Sequence, residues 1–326
     1  MPAPTMQAIV APAPGGPETL ELREVPRPTP GPGEVLIRVA AAGVNPVDAK
    51  TRGGAGATGF LGGSPTPEDG AGAFPWIPGW DVAGTVAEAG YGVARFAPGD
   101  RVFGTIGFPR AAGAYAEYAV AHVSQLSRSP RSLSDEETAA LPLGGLTAWQ
   151  ALVDAGGLET NQRVVITAAS GGVGHLAVQI AADLGAHVIA VGSTANLGYL
   201  RGLGAHEVID RTTTDYAQAI EPVDLVLDGI GGAERTRAFS VVRPGGAVLT
   251  LPSASAGDPP PRDDVRGPRV FIAPDGLELQ LLTGSVERGA LRPTVAEVLP
   301  LADAARAHEL IEGGAVRGKL VLRVGD

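Results

Sequence analysis

The chain of 326 residues contains no cysteine, which removes disulfides, thiolate catalysis and the commonest zinc ligand sets together. It also lacks any apolar run near the ~20 residues of a membrane span, and its N-terminus shows no basic-then-apolar signal pattern. Positive charge is short as well: 25 Lys and Arg stand against 35 Asp and Glu, a net charge of -10. That balance argues against nucleic acid or an anionic membrane as partner, since both want a basic face. A phosphorylated cofactor, by contrast, needs only one or two local cations. The rest is an ordinary globular composition, 44% hydrophobic and 18% charged, with 47 glycines and 28 prolines that predict tight turns and short strands. The length allows two domains. The expectation is a cytoplasmic enzyme acting on a small molecule.

The most informative stretch is VVITAASGGVG, Val164 to Gly174, followed by HLAVQIAADLGAHVIAVGS. A β-branched run ends in a glycine turn that opens directly into a helical pattern. Leu176, Ala177, Ile180, Ala181 and Leu184 recur at helical spacing, Gly185 stands at the C-terminal capping position, and Val188 to Val191 read as a buried strand. Strand, turn, helix and strand form one βαβ unit whose glycines let the backbone approach a pyrophosphate at a helix N-terminus. The motif reads Ala168-x-x-Gly171-x-x-Gly174, with alanine where the usual fingerprint begins with glycine. A P-loop would need a lysine and a hydroxyl residue after the last glycine, where His175 and Leu176 stand. A nucleophile elbow at Ser170, with Asp228 and His308 following in hydrolase order, is the other alternative. His308 falls within a helical stretch, whereas a triad histidine normally needs a loop.

From Met1 to about Leu126 the pattern is β, with runs at Val35–Val39, Gly84–Ala89, Arg101–Phe103 and Tyr115–Val120 between glycine and proline turns. Such short strands predict a compact barrel-like domain. Residues 53–74 form an aperiodic Gly/Ala/Pro-rich insertion, a mobile segment or a substrate lid. Ser134 and Glu137 make a capping box, and Pro142 interrupts the helix that follows. After the βαβ core, strand candidates recur at Glu207–Ile209, Asp224–Asp228, Ala247–Leu251 and Arg269–Ile272, the rhythm of a doubly wound parallel sheet of six strands. A helix, a strand near Val295–Leu299, a second helix and a strand at Lys319–Val324 complete the chain.

Read together, AAGVNPVDAKTR (41–52), IPGWDVAGTVAEAGYGVARFAPGDRVFG (77–104), GAYAEYAV (113–120), LTAWQAL (146–152), AASGGVGHLAVQIA (168–181), LGAHEVID (203–210), VRPGGAVL (242–249) and RGKLVL (317–322) span nearly the whole chain. In that order they resemble the zinc-independent quinone oxidoreductases of the medium-chain dehydrogenase/reductase superfamily, the zeta-crystallin-like group. The resemblance implies an α/β fold: a GroES-like β-barrel catalytic domain (1–126, completed by 276–326) and a Rossmann NADPH-binding domain (127–275). It further implies an active site between the domains and a homodimer paired through the edge of the nucleotide-binding sheet. Zinc-dependent relatives carry cysteine where Asn45 stands and histidine where Trp80 stands, so a catalytic metal has no ligands at those places. Reduction without a Lewis acid suits an electron-poor acceptor such as a quinone or conjugated enone. An enoyl-thioester or biosynthetic intermediate is the close alternative, and a non-catalytic NADPH-binding role the remote one.

By the same resemblance, Asn45 bonds the nicotinamide ribose, unless it merely stabilises the turn before Pro46. Thr147 lies near the nicotinamide, and backbone around Leu251–Ser253 and Phe271–Ile272 holds the carboxamide. Ser170, Gly171, Gly172 and Val173 cradle the pyrophosphate, with Gly231 near the adenine ribose. Lys50 replaces a tyrosine common in relatives. It either bonds a developing enolate oxygen or is a solvated charge. NAD-binding relatives of the fold place Asp or Glu about 20 residues after the glycine turn. Here Val191-Gly192-Ser193-Thr194 offers no carboxylate, Ser193 can donate to a 2′-phosphate, and Arg211 follows the third strand. These residues predict NADPH over NADH by on the order of a hundredfold.

Overall fold

A computed structural model describes residues 4–55, 74–251, 259–268 and 270–325. The chain opens with β1 (Thr5–Val10) and β2 (Glu21–Pro26), an antiparallel pair, then the long β3 (Glu34–Val44) and the helix Pro46–Arg52. β4 (Asp81–Ala89), β5 (Arg101–Thr105), β6 (Tyr118–His122) and β7 (Leu126–Arg128) follow. The glycine turns foreseen between these runs are real: Gly33 at φ 77° and Gly99 at φ 95° hold left-handed backbone that only glycine takes without strain. The expected insertion falls almost wholly outside the described residues.

After helices Asp135–Ala139 and Pro142–Trp149 come β8 (Arg163–Ile166), the helix Gly174–Asp183, β9 (His187–Gly192), β10 (Glu207–Asp210), β11 (Val223–Asp228) and β12 (Val242–Thr250). β13 (Val295–Pro300), the helix Ala304–Glu312 and β14 (Lys319–Arg323) end the chain. Two compact units result. One comprises Met1–Leu143, Ala273–Glu287 and Pro293–Asp326, and the other Gly144–Ile272 with Arg288–Arg292. The first unit therefore extends past the expected boundary at 126. β7 pairs with β5, and the helix Asp135–Ala139, capped by Ser134 and Glu137 in the foreseen box, packs on β3 and β4.

In the first unit the sheet order is β13-β14-β3-β4-β5-β7, with β6 on β3. Inward residues of these strands, among them Val35, Ile37, Val82, Val102, Leu320 and Leu322, form its core. This is the GroES-like architecture. The second unit is a parallel sheet in the order β10-β9-β8-β11-β12, the doubly wound arrangement. β8 and β9 are continuous buried apolar runs because helices cover both faces of such a sheet. The sheet has five strands among the described residues, not six. Arg266 alone bridges to Ala247 on the outer edge of β12, and Pro268, lacking an N–H, follows at once. Residues 270–272 join no ladder, and Arg269 lies outside the described residues. Among the described residues no helix is long and apolar enough to cross a membrane.

Candidate active site

In an open doubly wound sheet, ligands lie outside the carboxyl ends of the strands where the strand order reverses, here β8 and β11. The glycine turn sits at that point. Ala168 adopts φ 47°, the left-handed conformation for which the usual fingerprint supplies glycine, and its carbonyl accepts the Gly171 N–H at 2.9 Å. Gly174 brings the helix start against this turn: a Cβ there would meet the Ala168 carbonyl and, at 2.7 Å, the Ala169 Cα. His175 is wholly buried with Nδ1 2.8 Å from the Gly171 carbonyl. A carbonyl only accepts, so Nδ1 carries the hydrogen. Val173 precedes the helix and no side chain caps its N-terminus. Backbone carbonyls of Gly171 and Val173 take the His175, Leu176 and Ala177 N–H groups, so what is left for an anion is the dipole's positive end and the turn's N–H groups at Gly172 and Val173. Ser170, Gly171, Gly172 and Val173 are all partly exposed around that end.

At the end of β9 the structure adds a residue that sequence reasoning missed. Asn196 Nδ2 donates to Ser170 Oγ at 3.1 Å and to Ser193 Oγ at 3.2 Å, joining two of the expected cofactor residues. Arg211 is exposed, and its backbone N–H bonds the Gly192 carbonyl. The fold also brings a carboxylate to this corner from the neighbouring strand. Asp210 accepts Thr194 Oγ1 at 2.5 Å and Thr212 Oγ1 at 2.7 Å. The Thr194 and Thr212 hydroxyls, with the Arg211 charge nearby, hold its carboxyl below the usual carboxylate range.

Among the described residues, two buried polar atoms at these strand ends have no partner. Asp228 Oδ1 accepts the N–H groups of Ile230 and Gly231, both at 2.9 Å, but its buried Oδ2 has no partner. Thr250, paired with Asp228 across β11 and β12, likewise leaves Oγ1 unsatisfied. Buried polar atoms rarely go unpaired, so a hydroxyl-bearing ligand at these strand ends fits them. Leu251 follows Thr250 and donates its N–H to the Asp228 carbonyl. Thr147 is buried in the helix Pro142–Trp149, Phe271 is 44% exposed, Ile272 is partly exposed, and Ser253 lies outside the described residues.

In the first unit Asn45 precedes the helix Pro46–Arg52, whose first residue is proline. The Asp48 carboxylate accepts the Asn45 N–H at 2.7 Å, which fixes the helix start. The Asn45 carboxamide is engaged elsewhere: Nδ2 donates to Asp81 Oδ2 at 3.0 Å, and Oδ1 accepts from Lys319 Nζ. Thr105 Oγ1 (3.0 Å) and the Leu143 N–H (2.8 Å) satisfy Asp81 Oδ1. All five of Asn45, Asp48, Asp81, Thr105 and Lys319 are buried. Burial, reinforced by the Asp81 charge, pushes the Asp48 carboxyl up to about 7 against the opposing pull of the Asn45 N–H, Lys319 and Tyr115. Lys50, on the last turn of the same helix, is exposed.

Trp80 packs tilted on Trp76 (5.5 Å) and edge-on to Phe108 (5.4 Å), with its Nε1 bonding the Arg110 carbonyl. His308 belongs to the helix Ala304–Glu312, with Nδ1 3.4 Å from Arg52 Nη1. Burial, with the Arg52 charge beside it, pulls its imidazole down to about 3, too weak a base for a hydrolase triad. Among the described residues no three His, Asp or Glu side chains are arranged to hold a metal.

The family description "Alcohol dehydrogenase GroES-like domain" matches residues 31–131, and "Zinc-binding dehydrogenase" matches residues 203–322. The chain is 34% identical to the mitochondrial NAD(P)H oxidoreductase RTN4IP1 of Danio rerio, covering 90% of this chain and 84% of that protein. It is 30% identical to the quinone oxidoreductase of Homo sapiens, over 94% of each. The solved structure of the quinone oxidoreductase from Coxiella burnetii superposes with a TM-score of 0.90 at 34% identity, covering 99% of this chain and 100% of that one.

Proposed function

The chain belongs to the zinc-independent, quinone oxidoreductase-like group of the medium-chain dehydrogenase/reductase superfamily, a family of NAD(P)H oxidoreductases, and from that premise we propose that it passes hydride from NADPH to a quinone or conjugated enone without a metal. The observation that carries this reading is the turn Ala168–Gly174, which leaves an uncapped helix N-terminus beside the orphaned Asp228 Oδ2 and Thr250 Oγ1. The nicotinamide supplies the hydride when the cofactor is bound. The protein's own part is to bind and orient. The turn Ser170 to Val173 would hold the pyrophosphate through the N–H groups not already given to backbone carbonyls, Asn196 fixes the Ser170 and Ser193 hydroxyls beside it, and Asn45 would offer its amide to the nicotinamide ribose. Orienting two reactants in this way suffices for an acceptor that is already electron-poor. The test is NADPH oxidation over a panel of quinones, enones and enoyl thioesters. Turnover of quinones or enones supports the reading, enoyl thioesters alone would shift the substrate class, and binding without turnover of any would leave a carrier.

NADPH preference rests on Arg211 and Ser193, and Asp210 works against it by setting a carboxylate near the same corner. We expect a kcat/KM ratio for NADPH over NADH of roughly tenfold, ~1.4 kcal/mol, smaller than the residues of β9 and Arg211 alone predict. Arg211→Ala lowers the ratio toward one, and Asp210→Asn raises it above wild type. Ratios that ignore both substitutions would show that this corner does not read the phosphate.

A further inference from the structure

Lys319 opens β14 and is only 3% exposed, an ammonium held almost entirely out of water. Its Nζ donates to Asn45 Oδ1 and, at 3.3 Å, to Asp81 Oδ2. An ammonium only donates and a carboxylate only accepts, so the Asn45 amide has a single orientation, Oδ1 on Lys319 and Nδ2 on Asp81. Asp81 is fixed in turn by Thr105 and Leu143 on its other oxygen, and by Gly43, where a Cβ would crowd Asp81 Cβ at 2.9 Å. Oδ1 is also the acceptor that the capping box offers the Asp48 N–H, whereas Nδ2 keeps one N–H with no partner among the described residues. A buried ion pair adds little stability over apolar residues of the same volume. The pair therefore calls for a role beyond holding the fold.

We propose that Lys319, paired with Asp81, is a positioning residue for hydride transfer: it locks the Asn45 carboxamide so that its remaining Nδ2 N–H is aimed at a hydroxyl of the nicotinamide ribose. The inference rests on the cofactor reading above. Without the ammonium, Asp81 is a buried carboxylate with no counter-charge and Oδ1 loses the donor that marks its side, so the amide loses its single orientation.

The test is the pair Lys319→Met/Asp81→Asn, which removes both charges and avoids the stranded carboxylate that Lys319→Met alone leaves. Lys319→Arg, which keeps the charge but not its point geometry, is the second variant should the pair be unstable. The Kd for NADPH is expected to rise about tenfold or more and single-turnover hydride transfer to slow about a hundredfold. The Kd for 2′,5′-ADP, which lacks the nicotinamide ribose, stays unchanged. In an Asn45→Ala background the same substitutions add nothing further, because the lysine acts through that amide. The proposal is overturned by unchanged NADPH affinity and hydride rate, by equal weakening of NADPH and 2′,5′-ADP, or by full additivity with Asn45→Ala. Wild-type protein that binds no NADPH would sink the cofactor reading instead, and it would do so before any variant is made.

Discussion

Gly174→Ala is expected to weaken NADPH binding by about a hundredfold or more and to destabilise the fold by a few kcal/mol. The added Cβ meets backbone, the Ala168 carbonyl and, at 2.7 Å and 2.9 Å, the Ala169 Cα and carbonyl carbon, and backbone cannot rotate aside. Either the turn opens, and its N–H groups no longer converge on a pyrophosphate, or the helix Gly174–Asp183 moves off β8. Gly202, in the helix Leu197–Gly202, has open space where a Cβ would go. Gly202→Ala should therefore be neutral or stabilise by up to ~1 kcal/mol, through helix propensity alone. Fluorescence titration with NADPH and thermal unfolding of both variants check this contrast. Full cofactor affinity in Gly174→Ala would remove the turn from the binding site.

The second large effect concerns Asp48 and pH. Its carboxyl ionises at about 7 in the folded chain against an ordinary value of 3.8. The unfolded chain loses the proton first, so it binds fewer protons than the folded chain between these values. Stability therefore falls as pH rises through the window from about 4 to about 7, and is level above it. A shift of about three pH units at ~1.4 kcal/mol each sets an upper range of about 4 kcal/mol. Asp48→Asn keeps an oxygen for the Asn45 N–H and cannot ionise. It should match wild type near pH 4 and exceed it in Tm increasingly up to pH 7. His308 acts oppositely: burial pulls it from 6.5 to about 3, so its contribution is lost as pH falls through that range. It is common to both proteins and cancels in their difference. A difference curve flat from pH 4 to 8 would mean that Asp48 titrates as an ordinary carboxylate.

Much of the binding unit was legible because its signals are local. The β-branched run before Ala168, the helical spacing from Leu176 and the capping box at Ser134 each occupy a few consecutive residues, and each formed where expected. Ala168 was legible as a departure from the fingerprint, and the structure shows what it means: an alanine held at φ 47°. The cluster around Asn45 was not legible as a unit. Lys319 and Asp81 lie 238 residues apart and meet only through the pairing of β14 and β4 with β3. A weak signal existed, a lysine at the head of the apolar run LVL, where a solvated charge would be out of place. Asn196 belongs to no motif in the sequence, and Asp210 stood one strand away from the place where a carboxylate was sought. The sixth strand expected at Arg269–Ile272 does not form among the described residues, and the contact with the edge of β12 falls earlier, at Arg266.

The most direct test of the central claim is NADPH oxidation by chelator-treated protein with a quinone acceptor, comparing NADPH with its C4-deuterated forms. Metal-free hydride transfer predicts turnover that survives chelation and a primary isotope effect of about two or more with one C4 epimer and not the other in single turnover, where chemistry is isolated from product release. Turnover that vanishes on chelation and returns with zinc, or NADPH that is bound but never oxidised by any acceptor, would contradict it.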